Sequence, residues 1–337
     1  MKILYAGSPD AACTTLKILY ENQKKYGFEI AGVLSNPPSA KGRHHDLTPT
    51  PVAAFALEKG LPLFTPEHLD GASREAISPL AADLLVCFAY GHIFGPKFLG
   101  LFPMGGINLH PSLLPKYRGC TPVPAAILNR DKETAVTIQT LGLKMDEGDI
   151  LAQKIVELNG NETGESLLNY SATCGAELIF ALLSEAAKNG RLPQGRPQTG
   201  QASYTSIITK EDGRIDWKLS AVEIEAKIRA YYPEPGCWCL EKGQPLRILQ
   251  GKVLADGVSG ASVASGTEKS SGAGEILPGT GEILPGQVIS FAKSEGIYIK
   301  TGNGILVVTL LQRQGKKAMA YKDFMNGARD FVGTVLE

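Results

Sequence analysis

The densest group of reactive side chains lies in Gly105-Gly106-Ile107-Asn108-Leu109-His110-Pro111-Ser112-Leu113-Leu114-Pro115, an apolar run that ends in polar residues at alternate positions. At the two-residue period of a strand, Asn108 and His110 share one face. Open α/β sheets bind ligands beyond the carboxyl ends of their strands, so this pair is placed for chemistry at a carbonyl. Asn108 offers an amide donor for a developing oxyanion, and His110 can donate or accept a proton near neutral pH. The same residues would also serve a structural end, with the histidine capping the following turn and the asparagine bonding backbone. A second polar cluster, Asp146-Glu147-Gly148-Asp149, shifts the reading toward chemistry. It follows a strand and loop over Val136–Met145 and can return to the same sheet edge, where a carboxylate would hold the histidine charged and oriented.

The elements that must position these residues are legible around them. Lys2–Ala6, Glu29–Leu34, Asp83–Ala89, Gly106–His110 and Thr134–Leu141 read as strands, and amphipathic stretches such as Ala12–Lys24 and Pro51–Lys59 separate them. That alternation predicts an α/β domain over residues 1–188, with a doubly wound, Rossmann-like parallel sheet. A periodic helix, Gly164–Lys188, ends it, and the Gly-, Pro- and Gln-rich residues 189–205 read as a linker. From there the pattern changes to one helix, Ala221–Ala230, and short alternating runs at Pro245–Leu249, Gly286–Ser290, Ile297–Thr301 and Gly304–Leu311. These predict a small antiparallel, OB-like β-barrel domain over 206–337. A Gly- and Ser-rich insertion at 256–281 interrupts it, and there GEILPGT is followed directly by GEILPGQ. A tandem copy this short cannot build a solenoid and reads as added loop length, which costs little entropy.

At 337 residues, 43% hydrophobic and 20% charged, the chain has the profile of a soluble two-domain enzyme. Lys plus Arg equals Asp plus Glu at 34 each, so any contact with nucleic acid must come from local basic patches. The six cysteines have no CxxC spacing and no histidine at finger-like distance, which argues against zinc and against a disulfide framework. The first strand leads into Gly7-Ser8-Pro9-Asp10 rather than GxGxxG, and no GxxxxGK[ST] occurs, which argues against dinucleotide and P-loop sites. The N-terminal apolar run is too short for a signal peptide, and no stretch reaches the roughly 18 apolar residues of a membrane span. A cytoplasmic location with no membrane contact is therefore expected.

The segment NLHPSLLPKYRG, followed by MDEGDIL, resembles the folate-dependent formyltransferase family, and MKILYAGSP at the start and KEDGRIDW after the linker extend the resemblance over nearly the whole chain. The resemblance implies that Asn108, His110 and Asp146 form a catalytic triad. It implies that Ser112, Leu113, Leu114 and Pro115 border the folate, and that Phe88-Ala89-Tyr90-Gly91 is a loop whose backbone, more than its side chains, reads the pteridine ring. The co-substrate implied is 10-formyltetrahydrofolate, with no metal. Attack of a neutral amine on the formyl carbon makes one negative oxygen and one positive nitrogen. Asn108 and a protonated His110 suit the first, and Asp146 suits the proton that the second must lose. No covalent intermediate is needed, so Cys120 has no required role and is either a reactive thiol or a small packed residue.

Within this family the acceptor varies, and three features direct it to initiator methionyl-tRNA. The loop Ser35–His45 sits where tRNA-acting members carry an inserted basic loop, with Lys41 and Arg43 as its candidates. An entire second domain follows the first, which single-domain members lack. The final segment concentrates basic residues, among them Arg313, Lys316 and Lys317, suited to phosphate contacts. The alternative acceptor is a nucleotide-linked amino sugar. A monomer is the default expectation.

Overall fold

The computed structural model describes residues 1–41, 46–254, 283–328 and 330–337. The chain divides into two compact units, one comprising 1–126, 131–159 and 166–207, the other 127–130, 160–165 and 208–337.

In the first unit the strands are β1 (Lys2–Gly7), β2 (Glu29–Leu34), β3 (Ser39–Lys41), β4 (Asp46–Thr48), β5 (Leu63–Phe64), β6 (Leu84–Phe88), β7 (Gly106–His110), β8 (Arg118–Gly119), β9 (Glu133–Thr140), β10 (Ile150–Glu157) and β11 (Tyr204–Thr205). Seven of them form one sheet in the order β10-β9-β7-β6-β1-β2-β5. The ladders from β7 to β5 are parallel, and β9 and β10 add antiparallel at one edge. The parallel-dominated, doubly wound sheet anticipated above is thus present, with an antiparallel edge strand, β10, that the alternation did not announce. The residues of β1, β2 and β6 are almost wholly buried, as strands covered on both faces must be.

Their alternation sorts side chains between two layers. Ile3, Tyr5, Val86, Ile107 and Leu109 pack with Leu16, Leu19, Val52, Phe55, Ile179 and Leu183 on one face, and Leu4, Ala6, Leu85 and Cys87 pack with Ile77, Phe94 and Phe98 on the other. The helices supplying the first layer are α1 (Asp10–Tyr26), α2 (Pro51–Glu58) and a long helix at Gly164–Asn189. Gly27 ends α1 in the left-handed region at φ 71° and returns its N–H to the carbonyl of Gln23. On the long helix, Gly175 is required by contact: a Cβ there would lie 2.0 Å from Leu109 Cδ1. Among the described residues this helix is the one long and apolar enough to cross a bilayer, and 11 of its 26 residues are buried.

Strand order places the chain reversal between β1 and β6. From β1 the chain moves outward through β2 and β5, then returns to the other side of β1. A crevice at the carboxyl ends of the strands is expected at such a reversal. Gly7 ends β1 there, where a Cβ would come within 2.7 Å of the Phe88 carbonyl.

The second unit holds β12 (Cys237–Glu241), β13 (Gln244–Val253), β14 (Val288–Ala292), β15 (Gly296–Lys300), β16 (Ile305–Arg313) and β17 (Met319–Ala320) in one antiparallel sheet. The helix Ala221–Ala230 opens on a capping box, with Ser220 and Glu223 satisfying each other's backbone N–H. The 256–281 insertion lies outside the described residues.

Candidate active site

Asn108 and His110 stand on the face of β7 opposite the one that Ile107 and Leu109 bury, and His110 is 3% exposed. Directly across the β7–β9 ladder they face Gln139 and Thr137. Polar side chains from two buried strands are thereby stacked at one edge of the crevice.

Asp146 reaches this edge from the loop between β9 and β10. Its Oδ1 accepts from Gln139 Nε2 at 2.7 Å and Asn108 Nδ2 at 3.3 Å, and it lies 3.5 Å from His110 Nδ1. Its Oδ2 accepts from the Gly119 N–H at 2.8 Å. The other ring nitrogen of His110, Nε2, meets the carbonyl oxygen of Tyr117 at 2.9 Å. A carbonyl can only accept, so Nε2 carries its hydrogen, and Nδ1 faces a carboxylate that also accepts. Both imidazole nitrogens therefore have acceptors.

Backbone conformation concentrates here. Ala89, Tyr117 and Asp146 have φ of 51°, 59° and 54°, three of the six non-glycine residues with positive φ among those described. An aspartate tolerates that region; an alanine and a tyrosine do so only where the surroundings hold them. The Asp146 turn is closed by the Asp149 N–H on Thr140 Oγ1 at 2.9 Å and the Thr140 N–H on the Asp149 carbonyl at 2.9 Å. Gly148 permits this closure, since a Cβ would lie 1.8 Å from the Thr140 carbonyl oxygen. Asp149 is thus a backbone anchor of the turn, with an exposed side chain.

The remaining residues expected to border a folate divide between wall and rim. Ser112 is fully buried and donates to the Lys116 carbonyl at 2.6 Å, while its own carbonyl accepts from Thr137 Oγ1 at 2.7 Å. Leu114 is buried, and Leu113 and Pro115 are half-buried. Phe88 and Tyr90 are buried to 2%, whereas Ala89 and Gly91 are exposed. The loop therefore exposes backbone at Ala89 and Gly91 and keeps its aromatic rings in the core. Gly91 is open on its outward side, where a Cβ would meet nothing within 4 Å. Burial pushes the Cys87 thiol up to about 12, with the nearby Asp146 charge adding to the rise, so this cysteine is an inert packing residue. Cys120 is exposed rather than packed.

Two residues of the site carried no signal strong enough to single them out. Gln139 lies in a run otherwise read as an apolar strand; the available hint is its alternation with Thr137. Gln198 comes from the stretch read as a linker. That stretch pairs with the sheet through Arg196 and Ile150, joins β8 through β11, and donates through Gln198 Nε2 to the carbonyls of Asp146 and Gly148, both at 2.8 Å.

The basic residues assigned to nucleic acid are Lys41, Arg43, Arg313, Lys316 and Lys317. Lys41 ends β3, and Arg43 lies outside the described residues. In the second unit, Arg313 makes a two-pronged pair with Glu241 at 2.8 and 2.6 Å and lies over the Phe324 ring. Lys316 and Lys317 are exposed in the turn that follows. Among the described residues no group of three or more His, Cys, Asp or Glu side chains is arranged to hold a metal ion.

Comparison with known proteins matches residues 1–183 to the formyl transferase family and residues 207–329 to the formyl transferase C-terminal domain. A methionyl-tRNA formyltransferase from Treponema denticola is 42% identical over 341 residues, covering 98% of each chain. Among solved structures, a methionyl-tRNA formyltransferase from Clostridium thermocellum aligns with a TM-score of 0.55 at 17% identity, over 76% of this chain and 95% of that one. The sugar 3N-formyl transferase WlaRD, solved in the presence of dTDP and 5-N-formyl-tetrahydrofolate, aligns at 0.59 and 18% identity, over 94% and 99%. At these identities the two structures speak to the fold.

Proposed function

Because this chain belongs to the formyl transferase family, we propose that the crevice at the ends of β1, β6 and β7 is where it moves a formyl group from 10-formyltetrahydrofolate to the amino group of initiator methionyl-tRNA. The enzyme is a methionyl-tRNA formyltransferase, and its product is the formylated initiator used in translation. The single observation that carries the site assignment is the meeting of Asn108, His110 and Asp146 at one sheet edge.

A folate-type co-substrate suits the donor set and the open backbone beside Gly91. Bound there, it would supply the formyl carbon; Leu113 and Pro115, with the backbone of Phe88, Tyr90 and Gly91, would border it, and the buried Ser112 and Leu114 would shape that wall from behind. Attack by the neutral amine puts negative charge on the formyl oxygen. Asn108 has a second amide N–H with which to meet that charge, beyond the one directed at Asp146. His110, held between the Tyr117 carbonyl and Asp146, sets its imidazole beside the same oxygen. Asp146 orients the imidazole and takes up the proton that the attacking nitrogen loses. As the adduct collapses, the bond from the formyl carbon to folate N10 breaks and that proton passes to the departing nitrogen, so tetrahydrofolate leaves and the carboxylate is restored.

Lys41, Arg43, Lys316 and Lys317 are assigned to tRNA phosphates, together with Arg313, whose guanidinium would have to share itself with Glu241. We assign the enzyme to the cytoplasm as a monomer, with a catalytic domain at 1–188, a connecting segment at 189–205 and a second domain at 206–337.

The test offers charged initiator tRNA and a nucleotide-linked amino sugar side by side with a labelled formyl donor. Label is expected on the tRNA, with kcat/KM for it at least about 100-fold higher. Preferential labelling of the sugar would overturn the acceptor assignment while leaving the transfer chemistry standing.

A further inference from the structure

We infer that Gln139, oriented by Gln198 and Arg118, is a positioning residue for formyl transfer: its amide fixes the Asp146 carboxylate against His110. The inference rests on the reading of Asp146 as the carboxylate of the site. Three donors share Asp146 Oδ1, and the tightest is Gln139 Nε2 at 2.7 Å, against 3.3 Å for Asn108 and 3.5 Å for His110. The shortest bond on that oxygen thus comes from Gln139 rather than from Asn108 or His110.

Gln139 is well placed to hold a carboxylate still. It is 1% exposed, and its backbone is fixed in the ladder opposite Asn108. Its own amide could turn over and present oxygen to Asp146, which would repel. That flip is opposed by Gln198 Nε2, which lies 3.2 Å from Gln139 Oε1. Gln198 is oriented in turn by Arg118, whose Nε and Nη2 donate to its Oε1 at 3.1 and 2.9 Å. Arg118 Nη1 reaches the Tyr204 hydroxyl at 2.8 Å and Glu147 Oε1 at 3.2 Å. The chain Arg118, Gln198, Gln139, Asp146 therefore runs without a break from the rim to the carboxylate.

Asp146 needs such support because it sits at φ 54° in a loop whose residues Gly142–Met145 are exposed. A neutral donor also suits the place. A lysine or arginine at this distance would bind the carboxylate as firmly, but its positive charge would oppose charge on the imidazole that the carboxylate serves.

The test is steady-state kinetics of formyl transfer to methionyl-tRNA by Gln139→Leu, Asp146→Asn and the double variant, with Gln139→Glu followed across pH. Gln139→Leu is expected to lower kcat about 10- to 100-fold, because small misplacements of a reacting group have effects of that size. KM for both substrates should stay within about twofold. In the Asp146→Asn background the same change should cost almost nothing further, since the group it positions is already disabled. Gln139→Glu places a second carboxylate against Asp146. Its activity relative to the parent enzyme should rise as pH falls and the new side chain gains an O–H to donate.

A parent-like kcat for Gln139→Leu beside a crippled Asp146→Asn would overturn the inference alone, as would losses that multiply in the double variant or a Gln139→Glu profile parallel to the parent's. A parent-like Asp146→Asn would instead remove the reading of the site and the inference with it. If Gln139→Leu unfolds early, Gln139→Met, which keeps the length of the side chain and removes its donor, decides the same question: a kcat loss of about tenfold at unchanged KM supports the inference, and parent-like kcat overturns it.

Discussion

Asp146→Asn is expected to lower kcat for formyl transfer by about 1000-fold or more while the protein stays folded. The argument follows from who faces this side chain. Gln139 Nε2, Asn108 Nδ2 and the Gly119 N–H are all obligate donors. An asparagine offers one acceptor oxygen where the carboxylate offers two, and its NH2 group must then point at a donor. His110 Nδ1 loses its negative partner. The backbone is spared, because asparagine tolerates the left-handed φ of 54° that this position requires. The local cost is about 1–3 kcal/mol for a mismatched buried group, small enough to leave a cooperative melt. Circular dichroism and thermal unfolding should therefore read close to the parent while single-turnover transfer collapses. Transfer within about tenfold of the parent would mean that Asp146 serves the turn alone.

Asn108→Ala carries the second-largest expected effect, a fall in kcat of about 100- to 1000-fold, the usual consequence of losing one oxyanion donor. The side chain is half-buried at the carboxyl end of β7, with its Cα fixed by ladders to Cys87 and Gln139. Its removal leaves Asp146 with Gln139, Gly119 and His110, so the loop remains anchored. KM for the tRNA should change little, because the lost bond forms only as charge develops on the formyl oxygen. The discriminating measurement is the split between kcat and KM. A rise in KM at constant kcat would recast Asn108 as a ground-state binding residue.

Much of this site was legible from spacing. The alternation of Ile107 and Leu109 with Asn108 and His110 is a strand pattern whose polar face needs partners, and the fold supplies them in Gln139, Thr137 and Asp146. The buried runs at β1, β2 and β6 announced a parallel sheet for the same reason. What spacing could not convey was supplied by tertiary contact. Gln139 looks like an interruption of an apolar strand until its register opposite Asn108 is known. Gln198 sits among Gly, Pro and Gln residues whose composition signals a linker, yet its amide closes the Asp146 turn. Nothing local distinguishes a glutamine that bridges two carbonyls from one in water. Arg313 illustrates the converse: a cluster of positive charge in sequence is divided in space, with Glu241 holding the arginine and leaving Lys316 and Lys317 exposed.

The central claim, that an amide, an imidazole and a carboxylate act on one formyl carbon as a unit, is tested most directly by the single-turnover rate of an Asn108→Ala/His110→Ala/Asp146→Asn protein set beside the three single variants. Groups that work only together should make the combined loss little greater than the largest single one. Single losses that multiply in the combined protein would contradict the claim, since they would describe three residues contributing independently of one another.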